Sequence, residues 1–111
     1  MANNVQVTDY PVHPVGSVQK VLAAIGDPVR LEMVRRLYNA AAPVQCGALY
    51  GGINKSTATH HFKTLREAGI TERLVIDGLT CQRLRTAEVE AALPGLLASV
   101  VAGANRETGV S

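Results

Sequence analysis

At Gly69 the hydrophobic period of the chain changes, and this change restricts the available folds more than any other feature of the sequence. Before it, Ala58, His61, Phe62, Leu65 and Ala68 recur at helical spacing and mark the inward stripe of an amphipathic helix. After it, two extended runs, Thr71–Ile76 and Leu79–Arg85, flank Asp77-Gly78. An Asp-Gly pair in that setting predicts a two-residue hairpin, because a type I′ turn requires positive φ at both central residues. The hairpin follows the helix directly, and a chain of 111 residues has room for one domain only.

Upstream, punctuation by small and capping residues divides the chain into helices. Val18, Val21, Leu22 and Ile25 predict a helix over 15–25. Gly26 ends it, Asp27 caps the next with its carboxylate, and Pro28 takes the first helical position, where its missing N–H costs nothing. That second helix runs from about Pro28 to Asn39, with Leu31, Val34, Leu37 and Tyr38 inward and Glu32, Arg35 and Arg36 toward water. Pro43 bars further helix, a short helix is predicted over 45–50, and 51–54 form a tight turn. Asn54 caps the helix over 55–68. Beyond the hairpin, Thr86 caps a short helix with Glu88 and Glu90 near its start, and Pro94 breaks it. A last helix runs from near Pro94 to about Ala102. The expected organisation is a loose arm over 1–13, a domain over 14–102 and a frayed tail over 103–111. With one Phe and no Trp, the core falls to Leu, Val, Ile and Ala.

The formal net charge is only +2, but it is unevenly spread. Between Asn54 and Arg85, Lys55, Lys63, Arg66, Arg73, Arg83 and Arg85 stand against Glu67, Glu72 and Asp77. A concentrated basic stretch is the pattern of a nucleic-acid surface. Cys46 and Cys81 lack the spacing of a metal knuckle or a disulfide framework. No basic segment followed by an apolar run opens the chain, so neither signal peptide nor membrane span is predicted and the cytoplasm is the expected compartment. No nucleophile–base pair, phosphate-cradling loop or metal cluster supports an enzyme, and no cofactor or metal is expected.

A short helix, a turn, a capped polar helix and a hairpin in that order predict a mainly α winged helix-turn-helix with a small β-hairpin wing. The outer stripe of the 55–68 helix is Ser56, Thr59, His60 and Lys63, without a carboxylate. Such groups donate to base edges and phosphates, and nothing on the stripe repels phosphate. Lys55, Ser56, Thr57, Thr59 and His60 are therefore the candidate base readers of double-stranded DNA, and Lys63, Arg73, Arg83 and Arg85 the candidate phosphate anchors. His61 falls on the inward stripe as a core imidazole. Asp77 at the wing tip repels phosphate, which argues against deep minor-groove insertion. A winged helix serving protein–protein contact without DNA is the alternative.

Asp27-Pro28-Val29-Arg30-Leu31 and the run Lys55-Ser56-Thr57-Ala58-Thr59-His60-His61-Phe62-Lys63-Thr64-Leu65-Arg66-Glu67-Ala68-Gly69-Ile70 resemble the second helix and the recognition helix of the ArsR/SmtB family of bacterial repressors. The resemblance spans about Val15 to Val101. It implies a homodimer joined through its first and last helices, bound to a near-palindromic operator and released by an effector that the residues do not identify. The family's metal sites do not carry over: only Cys46 is present where a Cys-x-Cys would lie, and Ala87 to Ala102 contain no His, Cys or Asp. Cys46 and Cys81 are read as small buried side chains or, alternatively, as a thiol switch, with Cys46 in the first turn of a helix and Cys81 on the second hairpin strand. The stretch from Ala91 to Ala102 is apolar nearly all round and must be covered on two sides. Val18, Val21, Leu22, Leu93, Leu96, Leu97, Val100 and Val101 are the expected dimer residues.

Overall fold

The computed structural model describes residues 6–8 and 10–109. The elements are β1 (Gln6–Thr8), α1 (Val18–Ile25), α2 (Pro28–Ala40), β2 (Val44–Gln45), a 3₁₀ turn at Cys46–Ala48, α3 (Lys55–Glu67), β3 (Thr71–Ile76), β4 (Leu79–Leu84), α4 (Thr86–Ala92) and α5 (Leu96–Thr108). This is the winged helix-turn-helix architecture that the sequence predicts. The hairpin closes as expected: Asp77 and Gly78 have φ of 51° and 79°, and Ile76 pairs with Leu79.

The sheet is larger than a hairpin. Its antiparallel order is β1-β3-β4-β2, with Val44 opposite Gln82 and Gln45 opposite Cys81. Gln6–Thr8 pair with Leu74–Ile76, which corrects the reading of 1–13 as a loose arm. The open edge of β3 presents unpaired N–H and C=O groups, and an extended segment satisfies them. Residues 1–5 and 9 of that arm lie outside the described residues. The helix expected over 45–50 is reduced to the three-residue turn, because β4 draws Val44 and Gln45 into the sheet and leaves too few residues for an α-helix.

Side-chain caps set the helix starts. Ser17 accepts from Lys20 N and starts α1 at Val18, three residues later than predicted, while Val15 packs against the core ahead of it. Asp27 Oδ2 accepts from the N–H groups of Val29 and Arg30 at 2.9 and 3.0 Å, and Asn54 Oδ1 accepts from Thr57 N at 2.8 Å. Both caps were legible. The α4 helix has no side-chain cap: Thr86 is its first helical residue, not the residue before it. The break to α5 comes at Leu93–Gly95, with Gly95 left-handed at φ 82°.

The core is formed where α1, α2, α3 and α5 meet the hairpin, with Met33, Leu37, Leu49, Leu65, Ile70 and Leu97 all but inaccessible. Val21, Leu97 and Val101 belong to this core and are closed off within one protomer, which corrects their assignment to a dimer seam. The α5 helix also runs six residues past Ala102, to Thr108, and Gly109 ends it at φ 81°. The fray predicted over 103–111 is corrected by this helix, which Asn105 ties to α2. Asn105 and Asn39 exchange amide hydrogen bonds of 2.9 and 3.2 Å, and Arg35 Nη1 donates to Asn105 Oδ1. Residues 110 and 111 lie outside the described residues.

Glu32, Arg35 and Arg36, read as a solvated face, form the other half of that dock. Glu32 accepts from Arg35 Nε and Nη2 and from Arg36 Nε at 2.7–2.9 Å, while Arg36 Nη1 reaches the Ala48 carbonyl in the 3₁₀ turn. These bonds, led by the one from Arg35, hold the Glu32 carboxyl down at about 2 against an ordinary 4.5.

Arg85 makes the tightest joint. It is 8% exposed, and its Nη1 donates to the carbonyls of Gly69, at 2.9 Å, and His13. Gly69 itself has φ 78°, and a Cβ there would come within 2.6 Å of Val15 Cα and closer still to the Pro14 carbonyl. No other residue type fits. Arg85 is therefore a structural cation, which corrects its reading as a phosphate anchor.

Two outcomes follow from these joints. Arg85→Ala strands two inward-facing carbonyls and should lower stability by roughly 2–4 kcal/mol in urea unfolding. Glu32→Gln should be less stable than the wild type at neutral pH. Because the folded-state pKa lies below the unfolded one, the Glu32 contribution is full above about pH 4.5 and is lost as pH falls toward about 2. Unfolding titrations should show the gap between the two proteins constant from pH 7 to 5 and narrowing below it.

Candidate nucleic-acid interface

The sequence of α3 assigns its two faces to different tasks. Ala58, Phe62 and Leu65 are buried against the body, and Lys55, Ser56, Thr57, Thr59, His60 and Lys63 are all exposed. The helix carries no carboxylate before Glu67 in its last turn. Thr59 donates its hydroxyl proton to the Lys55 carbonyl at 2.8 Å, so the side chain offers outward only a methyl group and oxygen lone pairs. Against a base edge it can accept from an amino group or pack on a methyl, but it has no proton to donate.

The inner histidine locks the helix in place. His61 Nδ1 lies 3.0 Å from Arg30 Nη1 and 3.8 Å from Asp27 Oδ2. A guanidinium can only donate, so Nδ1 accepts and the ring's proton sits on Nε2. Arg30 also donates from Nε to the Ala24 carbonyl at 2.6 Å and from Nη2 to Ala23 at 3.5 Å. Those are two of the four carbonyls that the end of α1 leaves without helical partners. One side chain thus joins α1, α2 and α3. Arg30 carried a visible motif in the sequence, but nothing there showed where its guanidinium would go.

The wing divides its cations by strand parity. Glu72 lies opposite Arg83 and Arg73 opposite Gln82, so Arg73 and Arg83 stand on opposite faces of the hairpin. Arg83 is bound by Glu72, Nε to Oε2 at 2.7 Å, with Glu88 at 3.8 Å from Nη2. Its charge is committed to carboxylates of β3 and α4. Arg73 lies on the α3 side, where the Tyr10 ring sits between it and Arg66, 4.8 and 4.4 Å from the two guanidinium carbons. The exposed Lys55 and Lys63 and the stacked Arg66 and Arg73 make up the basic rim. Sequence reasoning counted Arg66 in the charge but gave it no site, and it left Tyr10 in an unstructured arm. A contact between residues 56 positions apart has no local signal.

The two cysteines are free thiols. Cys81 is buried, and desolvation, with Cys46 as a second cause, pushes its thiol above the ordinary range. Cys46 begins a three-residue turn, so the α-helix whose dipole was expected to activate it is not there. Gln82 donates to Cys46 Sγ at 3.6 Å.

Comparison with known proteins agrees with this architecture. A helix-turn-helix domain family matches residues 25–73. The uncharacterized HTH-type transcriptional regulator YceK of Bacillus subtilis is 36% identical over 80 residues, which cover 70% of this chain and 80% of that protein. The crystal structure of the transcriptional repressor BigR from Xylella fastidiosa superposes with a TM-score of 0.60 at 26% identity, covering 80% of this chain and 83% of that one. None of these similarities favours an interaction module that does not bind DNA. The amphipathic α3 clamped beside a hairpin, together with this relationship to YceK, places the chain in the family of helix-turn-helix transcriptional regulators, which act by binding DNA.

Proposed function

We propose that the protein is an ArsR/SmtB-type repressor that binds a near-palindromic operator as a homodimer and leaves it in response to an effector. The observation that carries this reading is the exposed, carboxylate-free face of α3, held on a helix whose opposite face is core. Lys55, Ser56, Thr57, Thr59 and His60 read bases in the major groove, and Lys63 with Arg66 and Arg73 holds phosphates beside them. The likeness to BigR, a repressor, supports repression as the outcome. Operator DNA as the partner places its action in the cytoplasm. Among the described residues no single helix is long and apolar enough to cross a membrane.

The second copy covers an apolar surface that the protomer leaves open. Val18 and Leu22 on α1 are 50% and 47% exposed, although Val21 between them is closed. Val18 also lines a shallow groove with Leu93, Pro94, Leu96 and Ser99 at the α4–α5 break. A two-fold pair covers both with the same patch from each chain. It also sets two α3 helices at the separation that two half-sites require.

Selection of bound fragments from random DNA should return a near-palindrome with half-sites about one helical turn apart. Lys63→Ala should weaken all sequences alike and reduce the salt slope by about 1, whereas Ser56→Ala or His60→Ala should change which sequences are bound, by about 1–3 kcal/mol at the affected base pair. Binding no tighter than to random competitor would refute this reading.

For the dimer, Leu22→Glu places a charge on a surface outside the core. The variant should keep its fold and unfolding midpoint, sediment as a monomer and lose affinity for the full palindrome. A wild type that sediments as a monomer at micromolar concentration while binding the palindrome tightly would refute the assembly.

A further inference from the structure

Between α3 and the sheet lies a cleft of about 290 Å³, at the lower end of the size range of small-molecule pockets. Its apolar wall is Tyr50 and Phe62, packed edge to face with ring centroids 6.1 Å apart, beside Cys46. Lys55, Thr59 and Arg66 of α3 form one side of it, and Thr80 and Gln82 of β4 the other.

Gln82 is the telling residue. It is 1% exposed, and strand alternation sets it on the same face as Thr80 and Arg73, which also line the cleft. Its amide spends one end on Cys46 Sγ, and its Oε1 has no hydrogen-bond partner among the described residues. Turning the amide over only exchanges which end is left over. An unsatisfied amide at such depth is rare in a protein interior and asks for a polar partner that the chain itself does not supply. A hydroxyl, which both donates and accepts, satisfies it in either orientation.

The rim has the opposite demand. Lys55, Arg66 and Arg73 bring three cations to it, and no carboxylate lines the cleft among the described residues. A DNA phosphate could meet that rim, but a duplex cannot reach a side chain as deeply buried as Gln82. The deep hydroxyl-binding group, the aromatic wall and the cationic rim together describe a single-ring molecule with a hydroxyl at one end and an anionic group at the other.

We infer that the cleft between α3 and the hairpin binds a small hydroxylated aromatic anion and that its occupancy weakens DNA binding. The second part rests on the reading of α3 as the DNA-reading helix. Lys55 and Thr59 belong to both surfaces, so a ligand that draws Lys55 inward removes it from the groove. Each ligand then lowers the affinity for the other by the same factor.

The test uses the intact chain and 4-hydroxybenzoate as probe, with benzoate lacking the hydroxyl and 4-hydroxybenzamide lacking the charge. In amide-resolved NMR titrations without DNA, 4-hydroxybenzoate should give saturable shifts at Thr59, Thr80 and the Gln82 side-chain amide, and should bind more tightly than either analogue. Gln82→Leu should weaken it by about tenfold and abolish its advantage over benzoate. Thr80→Trp, at an exposed position on the mouth, should abolish binding while thermal unfolding reports an intact fold. Absence of saturable shifts in this cleft, or binding unchanged in both variants, would overturn the site. Saturating 4-hydroxybenzoate should also weaken wild-type binding to the selected DNA by about tenfold and leave that of Thr80→Trp unchanged. Undiminished DNA affinity at saturation would overturn the coupling. A protein that prefers no DNA would overturn the regulator reading and leave the cleft measured on its own.

Discussion

One guanidinium sets the relative placement of three helices. Arg30 begins on α2, closes the carbonyl end of α1 through Ala23 and Ala24, and holds α3 through His61 Nδ1. A positive charge is also the appropriate one at a helix C-terminus, where the peptide dipoles converge as partial negative charge. The adjoining Asp27 caps α2 and lies near the same imidazole, so one cap and one clamp share a corner. Recognition of a groove demands a helix fixed to within a fraction of an ångström, and a short α3 cannot supply that rigidity alone. It borrows it from this corner at its middle and from the Gly69–Arg85 joint at its end.

That second joint links the helix to the wing. Gly69 ends α3 in a left-handed conformation against the backbone of Pro14 and Val15, and Arg85 binds the Gly69 carbonyl from the far end of β4. The segment before α1, the end of α3 and the last residue of the hairpin are thereby one body. Any displacement of the hairpin relative to α3 must pivot about this point. The cleft lined by Gln82 lies along the same boundary, between α3 and the hairpin.

What could be read from sequence, and what could not, follows from the range of the interaction responsible. The Asp27 and Asn54 caps and the Asp77-Gly78 turn are satisfied within three residues, so their residue types alone reveal them. The inner and outer faces of α3 are a matter of period and were equally legible. The fates of the arginines were not. Arg73, Arg83 and Arg85 look alike in a basic stretch, yet strand parity separates the first two and burial claims the third. Apolar stripes pose the same problem: Val18, Val21 and Leu22 share a pattern, but only the packed partner decides that Val21 is core and its neighbours are surface. Asn105 reads as a polar tail residue until Asn39 is found opposite it.

The division of labour on α3 has a bearing on how such a protein changes over generations. The side chains facing outward at Ser56, Thr57, Thr59, His60 and Lys63 contribute nothing to the buried core, while Ala58, Phe62 and Leu65 hold the helix down. On the proposed reading, replacing Ser56, Thr57, Thr59 or His60 changes what is recognised and leaves the fold nearly indifferent, since exposed substitutions of this kind cost only about half a kilocalorie per mole. A duplicated copy of the gene could therefore drift toward a different binding sequence through a handful of single changes, each passing through a folded intermediate. The scaffold separates the vocabulary from the grammar: the words on the outer face are replaceable one at a time, and the rules that hold them in line are written on the inner face.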